Sequence, residues 1–295
     1  MRWTLARMLG LLLLSYSMAT ATYDFIDDSA GPSVLARGGA LTAAVAEPDA
    51  LFGNPAGLAG IEKWTLKTTY QTLIEIDVIK TSFTSIFPIN STTVLGISVP
   101  FQKIQHIAKT IEKNGIFIES GEMNDSKIGS IIALASAIDT TLSWGLRAKL
   151  YDIRIDTEQA SGMSIDFGLV AKKLFGIINI GIVAKNIGED TLTWSTGKQE
   201  VLSSGLDVGV DISLHDITVF YSASLSGETN PRLGVALNLF PSFLVYAGAQ
   251  SQSMNQTSSY AVGCSIKLAP WLIDYAYKPT TDLGDNHYIS IGFEW

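Results

Sequence analysis

The chain has 295 residues, of which 47% are hydrophobic, 9% aromatic and only 16% charged, against about 25% charged in ordinary soluble domains. Ser, Thr, Gly and Asn replace the missing charge; the chain is too apolar for disorder, and 20 Lys+Arg against 28 Asp+Glu argue against a nucleic-acid partner. A single cysteine, Cys264, excludes an internal disulfide, and with three scattered histidines it makes no recognisable zinc site.

Residues 1–21 read as a cleaved secretory signal peptide. Arg2 and Arg7 give a basic start, residues 8–14 a short apolar core, and Ala19-Thr20-Ala21 a cleavage site. The apolar run is too short for a membrane helix, which needs about 20 residues.

Residues 22–60 are rich in Gly, Ala and Pro and have little periodicity. Gly38-Gly39 and Asn54-Pro55-Ala56-Gly57 mark irregular backbone with side chains small enough for close packing. Glu47 and Asp49 in this segment read as turn and cap residues rather than as an acidic metal site.

Residues 61–295 alternate with a period of two. Leu206, Val208, Val210, Ile212 and Leu214 share one face, opposite Gly205, Asp207, Gly209, Asp211 and Ser213. Leu142, Trp144, Leu146, Ala148 and Leu150 likewise oppose Ser143, Gly145, Arg147 and Lys149. A soluble sandwich turns a polar face rich in Lys, Glu and Thr to water. Here the polar face is Gly- and Ser-rich, with sparse charges of both signs, as expected for the lumen of a membrane barrel.

The pattern predicts an all-β, antiparallel transmembrane barrel of about fourteen strands between Trp64 and Trp295. Brief linkers such as His215-Asp216, Pro241-Ser242 and Ala269-Pro270 alternate with longer ones at 104–124, 152–161, 187–200, 227–231, 251–257 and 279–286. Short periplasmic turns alternating with long extracellular loops fit an outer-membrane barrel with both chain ends on the periplasmic side.

With the apolar faces outward, Arg147, Lys149, Asp207, Asp211 and Arg232 become lumen charges, together with Lys67, Lys80, Asp166, Lys172, Lys185, Lys267, Asp274 and Glu294. Lys103 and Lys173 point outward at strand ends, where they snorkel. In the last strand Ile289, Ile291, Phe293 and Trp295 share a face, and Ile291, Phe293 and Trp295 read as a signal for the outer-membrane assembly machinery. A barrel this wide is not filled by its own side chains, so residues 22–60 are expected as a hatch inside the 61–295 barrel.

No nucleophile elbow, zinc-protease motif, phosphate loop or dinucleotide fingerprint is present, which argues against an enzyme. No cofactor or metal is expected. His215-Asp216 is explained by turn composition.

The stretch GGALTAAVAEPDALFGNPAGLAG resembles the N-terminal hatch of FadL-type outer-membrane proteins, and more closely that of their smaller PorV/PorQ-like relatives. DYAYKPTTDLGDNHYISIGFEW resembles the closing strands of that group, and SIDFGLVAKKLFGIINIGIVAKNIG its paired middle strands. The resemblance implies a monomeric fourteen-strand barrel with a hatch, in the outer membrane of a diderm bacterium. It further implies either hatch-gated passage of small hydrophobic molecules such as fatty acids, or a PorV-like barrel carrying or anchoring secreted protein cargo. The chain is much shorter than FadL. Residues 104–124, with Ile104, Ile107, Ile111, Ile116, Phe117 and Ile118, form its one sizeable candidate for a surface groove.

Overall fold

A computed structural model describes residues 24–73, 78–113, 115–188, 190–226, 230–251, 259–279 and 285–295; the signal-peptide reading falls outside these. The N-terminal segment carries 3-10 turns at Asp27–Ser29, Pro48–Phe52 and Pro55–Leu58 and a short helix α1 at Pro32–Ala36.

The strands follow. The first seven are β1 Thr65–Leu73, β2 Val78–Pro88, β3 Thr93–Lys113, β4 Ile116–Ala137, β5 Leu142–Ile155, β6 Glu158–Leu174 and β7 Ile178–Lys185. Two short strands come next, β8 Thr191–Trp194 and β9 Gln199–Val201. The last seven are β10 Gly205–Leu214, β11 Ile217–Ser224, β12 Arg232–Phe240, β13 Phe243–Gln250, β14 Ser259–Leu268, β15 Trp271–Lys278 and β16 Asn286–Glu294.

Fourteen strands, all but β8 and β9, pair antiparallel with their barrel neighbours. β1 pairs with β16, Thr65 opposite Glu294, and closes the ring. Full closure among these strands leaves no sheet edge, which is what a bilayer demands of a barrel, since an unpaired peptide group there costs several kcal/mol. The outward faces are apolar, as at Leu146, Ile165, Val235 and Ile291, which are exposed. Trp64, Phe87, Trp271, Phe293 and Trp295 form a contiguous aromatic group at the rim of short turns, as at a membrane interface.

The structure corrects the expected loops. Residues 104–124 are not a loop: β3 and β4 run on through them as one long hairpin. Register shifts between Ile104 and Ile107 and between Lys109 and Thr110 interrupt the pairing. His106 (φ 54°) and Gly121 (φ 129°) mark the irregular positions. Each bulge inserts a residue and moves the alternation to the other parity, which hides the strands from a period-two search. Residues 152–161 are likewise mostly strand, with Ile155 opposite Glu158. Within 187–200 lies the β8–β9 hairpin, whose first strand pairs with Ala160, Ser161 and Gly162 of β6.

Candidate functional site

The inner wall and the N-terminal segment pack against each other on all sides of the lumen. Inward positions of the wall are small at the level of closest contact. Gly145 stands opposite Gly168, Gly181 opposite Gly209, and Gly234 opposite Gly248. Backbone of the N-terminal segment lies directly on these pairs. A Cβ at Gly248 would overlap the main chain of Arg37 and Gly38, and one at Gly145 the Pro55–Ala56 peptide. Any side chain there would push the segment off the wall.

The six residues singled out in the segment all take part. Gly38 and Gly39 have φ of 72° and 79°, the left-handed turn that brings the chain from α1 across β12 and β13. Asn54 is fully buried and stitches the segment to two strands. Its Nδ2 donates to the carbonyls of Thr42 (2.8 Å), Leu169 (3.1 Å) and Ile182 (3.3 Å), and its Oδ1 accepts from the Ala56 amide (3.1 Å). Pro55 and Ala56 rest on Gly145. The Gly57 carbonyl accepts from the Ala46 amide at 2.8 Å, folding the segment on itself.

Among the described residues most of the buried charges fall into three groups, apart from Asp125, which pairs with Lys127 at 3.2 Å. The largest centres on Asp27. Arg147, with no exposed surface, donates from Nε to Asp166 (2.6 Å), from Nη1 to the Leu51 carbonyl (2.8 Å) and from Nη2 to Asp27 (2.8 Å). Lys149 bonds Asp24 at 2.7 Å, and the Tyr151 hydroxyl donates to the same carboxylate at 3.0 Å. Lys185 bridges Asp27 and Asp207, each at 2.9 Å, and Arg232 lies 3.8 Å from Asp207. Burial pushes the Asp27 carboxyl up, but the Arg147, Lys149 and Lys185 charges more than reverse this and hold it well below the usual carboxylate range.

A second group joins Lys67 of β1 to Asp49 (2.7 Å) and Asp274 (2.9 Å). Asp49 also accepts the Gly31 amide at 3.1 Å, and Ser265 and Ser290 donate to Asp274. In the third group Arg37 pairs with Glu47 at 2.7 Å and stacks 4.7 Å from the Phe220 ring centre. Buried Asp211 is close enough to add its field at Arg37. Glu47 and Asp49 are therefore ion-pair partners within the lumen, and Glu47 makes no side-chain cap bond at the turn it precedes.

Of the charges singled out in the strands, Arg147, Lys149, Asp207 and Arg232 join the Asp27 group, and Asp211 lies near Arg37. Sequence reasoning missed Asp24 and Asp27, the partners on the segment itself. It also missed the paired glycines, although their recurrence on the inward faces was a visible signal. Ile291 and Phe293 lie on the outward face of β16, and Trp295, just past its end, exchanges backbone hydrogen bonds with Trp64 (3.1 and 3.2 Å).

The two sides of the lumen differ. Toward β2–β4 the contact is chiefly one apolar cluster, and β5 carries both part of this cluster and, at Arg147 and Lys149, the Asp27 and Asp24 ion pairs. Phe25, Ile26, Leu51, Phe52 and Leu58 of the segment meet Ile86, Val94, Ile131, Tyr151 and Ile153 of the wall. Leu192 of β8 and Leu202, just past β9, join the same cluster from the rim of long hairpins. Toward β6, β7, β10–β16 and β1 the contact is mostly of glycine faces, hydrogen bonds and ion pairs, with small apolar contacts of Ala36 on Ala276 and Tyr288 and of Ala40 on Phe220 and Ala236. The two best-formed cavities among the described residues hold ≈ 10 Å³ each, room for about one water.

No family model and no curated protein sequence matches the chain. Solved structures do. The toluene transporter TodX of Pseudomonas putida aligns with a TM-score of 0.66 at 13% identity, over 94% of this chain and 97% of that one. The monoaromatic hydrocarbon channel CymD gives 0.63 at 12% identity, over 90% and 96%. A Pseudomonas aeruginosa FadL homologue gives 0.60 at 10% identity, over 90% and 98%. This chain is thus similar in fold, over nine-tenths of its length, to hydrocarbon channels and a FadL homologue.

Proposed function

We propose that the protein is an outer-membrane channel for small hydrophobic molecules, with the N-terminal segment as its hatch. The observation that carries this reading is the one-sided contact. The apolar cluster spans from Leu192 and Leu202 at one rim to Ile86 and Val94 near the other, between the segment and β2–β5. Dispersion and hydrophobic contacts of this kind are non-directional, so an apolar solute replaces them at little cost. The ion pairs that border it at Arg147 and Lys149 and continue to Lys185 and Lys67 have no such substitute. Passage runs along the apolar seam, with the hatch still anchored on its polar side. The fold shared with channels described as toluene and monoaromatic hydrocarbon carriers supports the solute class. Ile291, Phe293 and Trp295 serve as the assembly signal.

The test is a pair of disulfide locks in a Cys264→Ser background, read by uptake of radiolabelled toluene and oleate into proteoliposomes. Ile26→Cys with Gly129→Cys closes the seam, since a Cβ at Gly129 would stand 2.8 Å from the Ile26 side chain. Thr42→Cys with Ser222→Cys locks the anchored side, where the Thr42 amide bonds the Ser222 hydroxyl at 3.2 Å. Oxidation of the seam lock should cut uptake about ten-fold, a barrier change of ~1.4 kcal/mol, and the second lock should leave it near the unlocked rate. Equal uptake by both oxidised forms and the reduced protein would refute passage along the seam.

A second reading, a PorV/PorQ-like barrel that carries or anchors protein cargo without transport, draws on the tightly filled, ion-paired lumen. It predicts no protein-dependent uptake of either solute in the same proteoliposomes.

A further inference from the structure

Tyr151 of β5 points into the lumen between two glycines. Its cross-strand neighbours are Gly129 of β4 and Gly162 of β6. Neither contributes a side chain, so the wall itself leaves both flanks of the ring open. Other parts of the molecule cover them. A Cβ at Gly129 would stand 2.8 Å from the Ile26 side chain, and one at Gly162 2.8 Å from the Leu192 side chain and 2.6 Å from the Thr191 carbonyl. Phe25 completes the cover, edge to face with Tyr151 at 5.9 Å between ring centres and 74° between ring planes. The Tyr151 ring is pinned at its far end: the hydroxyl donates to Asp24 at 3.0 Å and lies 3.3 Å from the Ser164 hydroxyl.

The wall here is fixed and the cover is not. Gly162 is required by the Thr191 main chain, as Gly234 and Gly248 are by that of Arg37. Gly129 is different, because only the side chains of Ile26 and Pro100 come near it. Phe25 and Ile26 belong to the N-terminal segment and lie in the apolar cluster, where contacts are non-directional. When these two side chains turn away, they leave a space bounded by the Tyr151 ring and the Gly129 backbone. An aromatic solute in that space regains the edge-to-face contact that Phe25 gives up, and a saturated ring of like size does not. Asp24 stays paired with Lys149 at 2.7 Å, so Phe25 turns beside an anchored neighbour.

We propose that Tyr151, Gly129 and Gly162 wall a binding subsite for a single aromatic ring, a place held in this structure by the side chain of Phe25. The subsite rests on the channel reading above and narrows its solute class to one-ring aromatic hydrocarbons ahead of saturated ones of like size. Exchange is ring for ring: the solute takes the contacts of Phe25, and Phe25 takes them back when the solute moves on.

The test uses the full chain in proteoliposomes, with toluene and methylcyclohexane as solutes of like size. Uptake of toluene should exceed that of methylcyclohexane about five-fold, the scale of one ring–ring contact. Tyr151→Leu should erase the preference, and Tyr151→Phe, which keeps the ring, should retain it. Binding is read separately, by photolabelling with a phenyl-substituted diazirine and mapping the label that excess toluene prevents. That label should fall on peptides carrying Gly129, Tyr151 or Gly162, and should rise about five-fold in Phe25→Ala, which removes the occupant. Heat-modifiable migration checks that each variant barrel is folded. Toluene-protected label on these peptides without uptake of either solute would support the subsite and sink the channel reading. Uptake without a toluene preference, a preference that survives Tyr151→Leu or is lost in Tyr151→Phe, or protected label absent from these peptides would each overturn the subsite while the channel reading stands.

Discussion

The two sides of the lumen hold the N-terminal segment by different physics. On β2–β5, side chains such as Leu51, Phe52 and Leu58 are buried against Ile86, Val94 and Ile131, each worth about 1.5–3 kcal/mol in area removed from water. On the opposite wall the segment has few large side chains to bury. It is held by backbone laid on glycine, by Asn54 reaching two strands, and by the Lys67–Asp49 and Lys185–Asp27 pairs. The first contact is strong but indifferent to partner; the second is specific. The proposed passage along the seam rests on this difference: one side fixes the segment in place, and the other holds it by contacts that an apolar solute can replace.

The largest expected effect removes both sides at once. A mature form lacking the segment up to Gly60 should still close into a heat-modifiable barrel, since every barrel strand follows it. In planar bilayers that form should show large, steady conductance steps, against little conductance for the complete protein. A shortened barrel that conducts no better than the whole would mean that something other than this segment fills the lumen.

Arg147→Met sharpens the comparison at the border between the sides. It keeps side-chain volume but strips Asp27, Asp166 and the Leu51 carbonyl of their shared donor. Breaking a buried pair on one partner costs about 3–5 kcal/mol. Denaturant unfolding should show that loss in segment docking, and flickering conductance should follow. Leu58→Ala on the apolar side should cost less, about 2–5 kcal/mol by cavity formation with partial collapse of the seam, and should raise uptake of toluene without an ionic leak.

The smallest effect is that of pH. The Asp27 carboxyl is depressed in the folded protein, so its contribution is fully present above the unfolded carboxylate value of about 3.9. That contribution is lost progressively as pH falls from there toward the folded value. Conductance of the complete protein should therefore stay flat between about pH 8 and pH 5, and leak should rise only below about pH 4. A leak that opens near neutral pH would place the latch on a group other than Asp27.

Much of the barrel was legible because a lipid-facing strand obeys one rule along its whole length. Leu206 to Leu214 and Leu142 to Leu150 declare their faces at a glance, and the inward placement of Arg147, Lys149 and Asp207 follows from parity alone. The rule lapses where lipid ends. Beyond Lys103 no uniform apolar face is required, and the bulges near His106 and Gly121 shift the parity twice, so the β3–β4 hairpin reads as a loop. Thr191–Trp194 and Gln199–Val201 are too short to show a period. The ion-pair partners were illegible for a different reason: Asp24 and Asp27 lie more than a hundred residues from Lys149 and Arg147 in sequence, and nothing local marks an aspartate that will meet a distant cation.

The facing glycines impose a tolerance on barrel closure. Since side chains alternate, a strand pair closed one residue out of register exchanges its inward and outward sets. Gly234 or Gly248 would then turn outward, and Leu233 or Ala249 would occupy the space that the Arg37 main chain needs. The same slip at Gly145 or Gly168 would block Pro55 and Asn54. A misregistered cylinder is thus one that its own N-terminal segment does not fit. Docking of that segment works as a gauge of correct assembly, read out in a single step around most of the circumference.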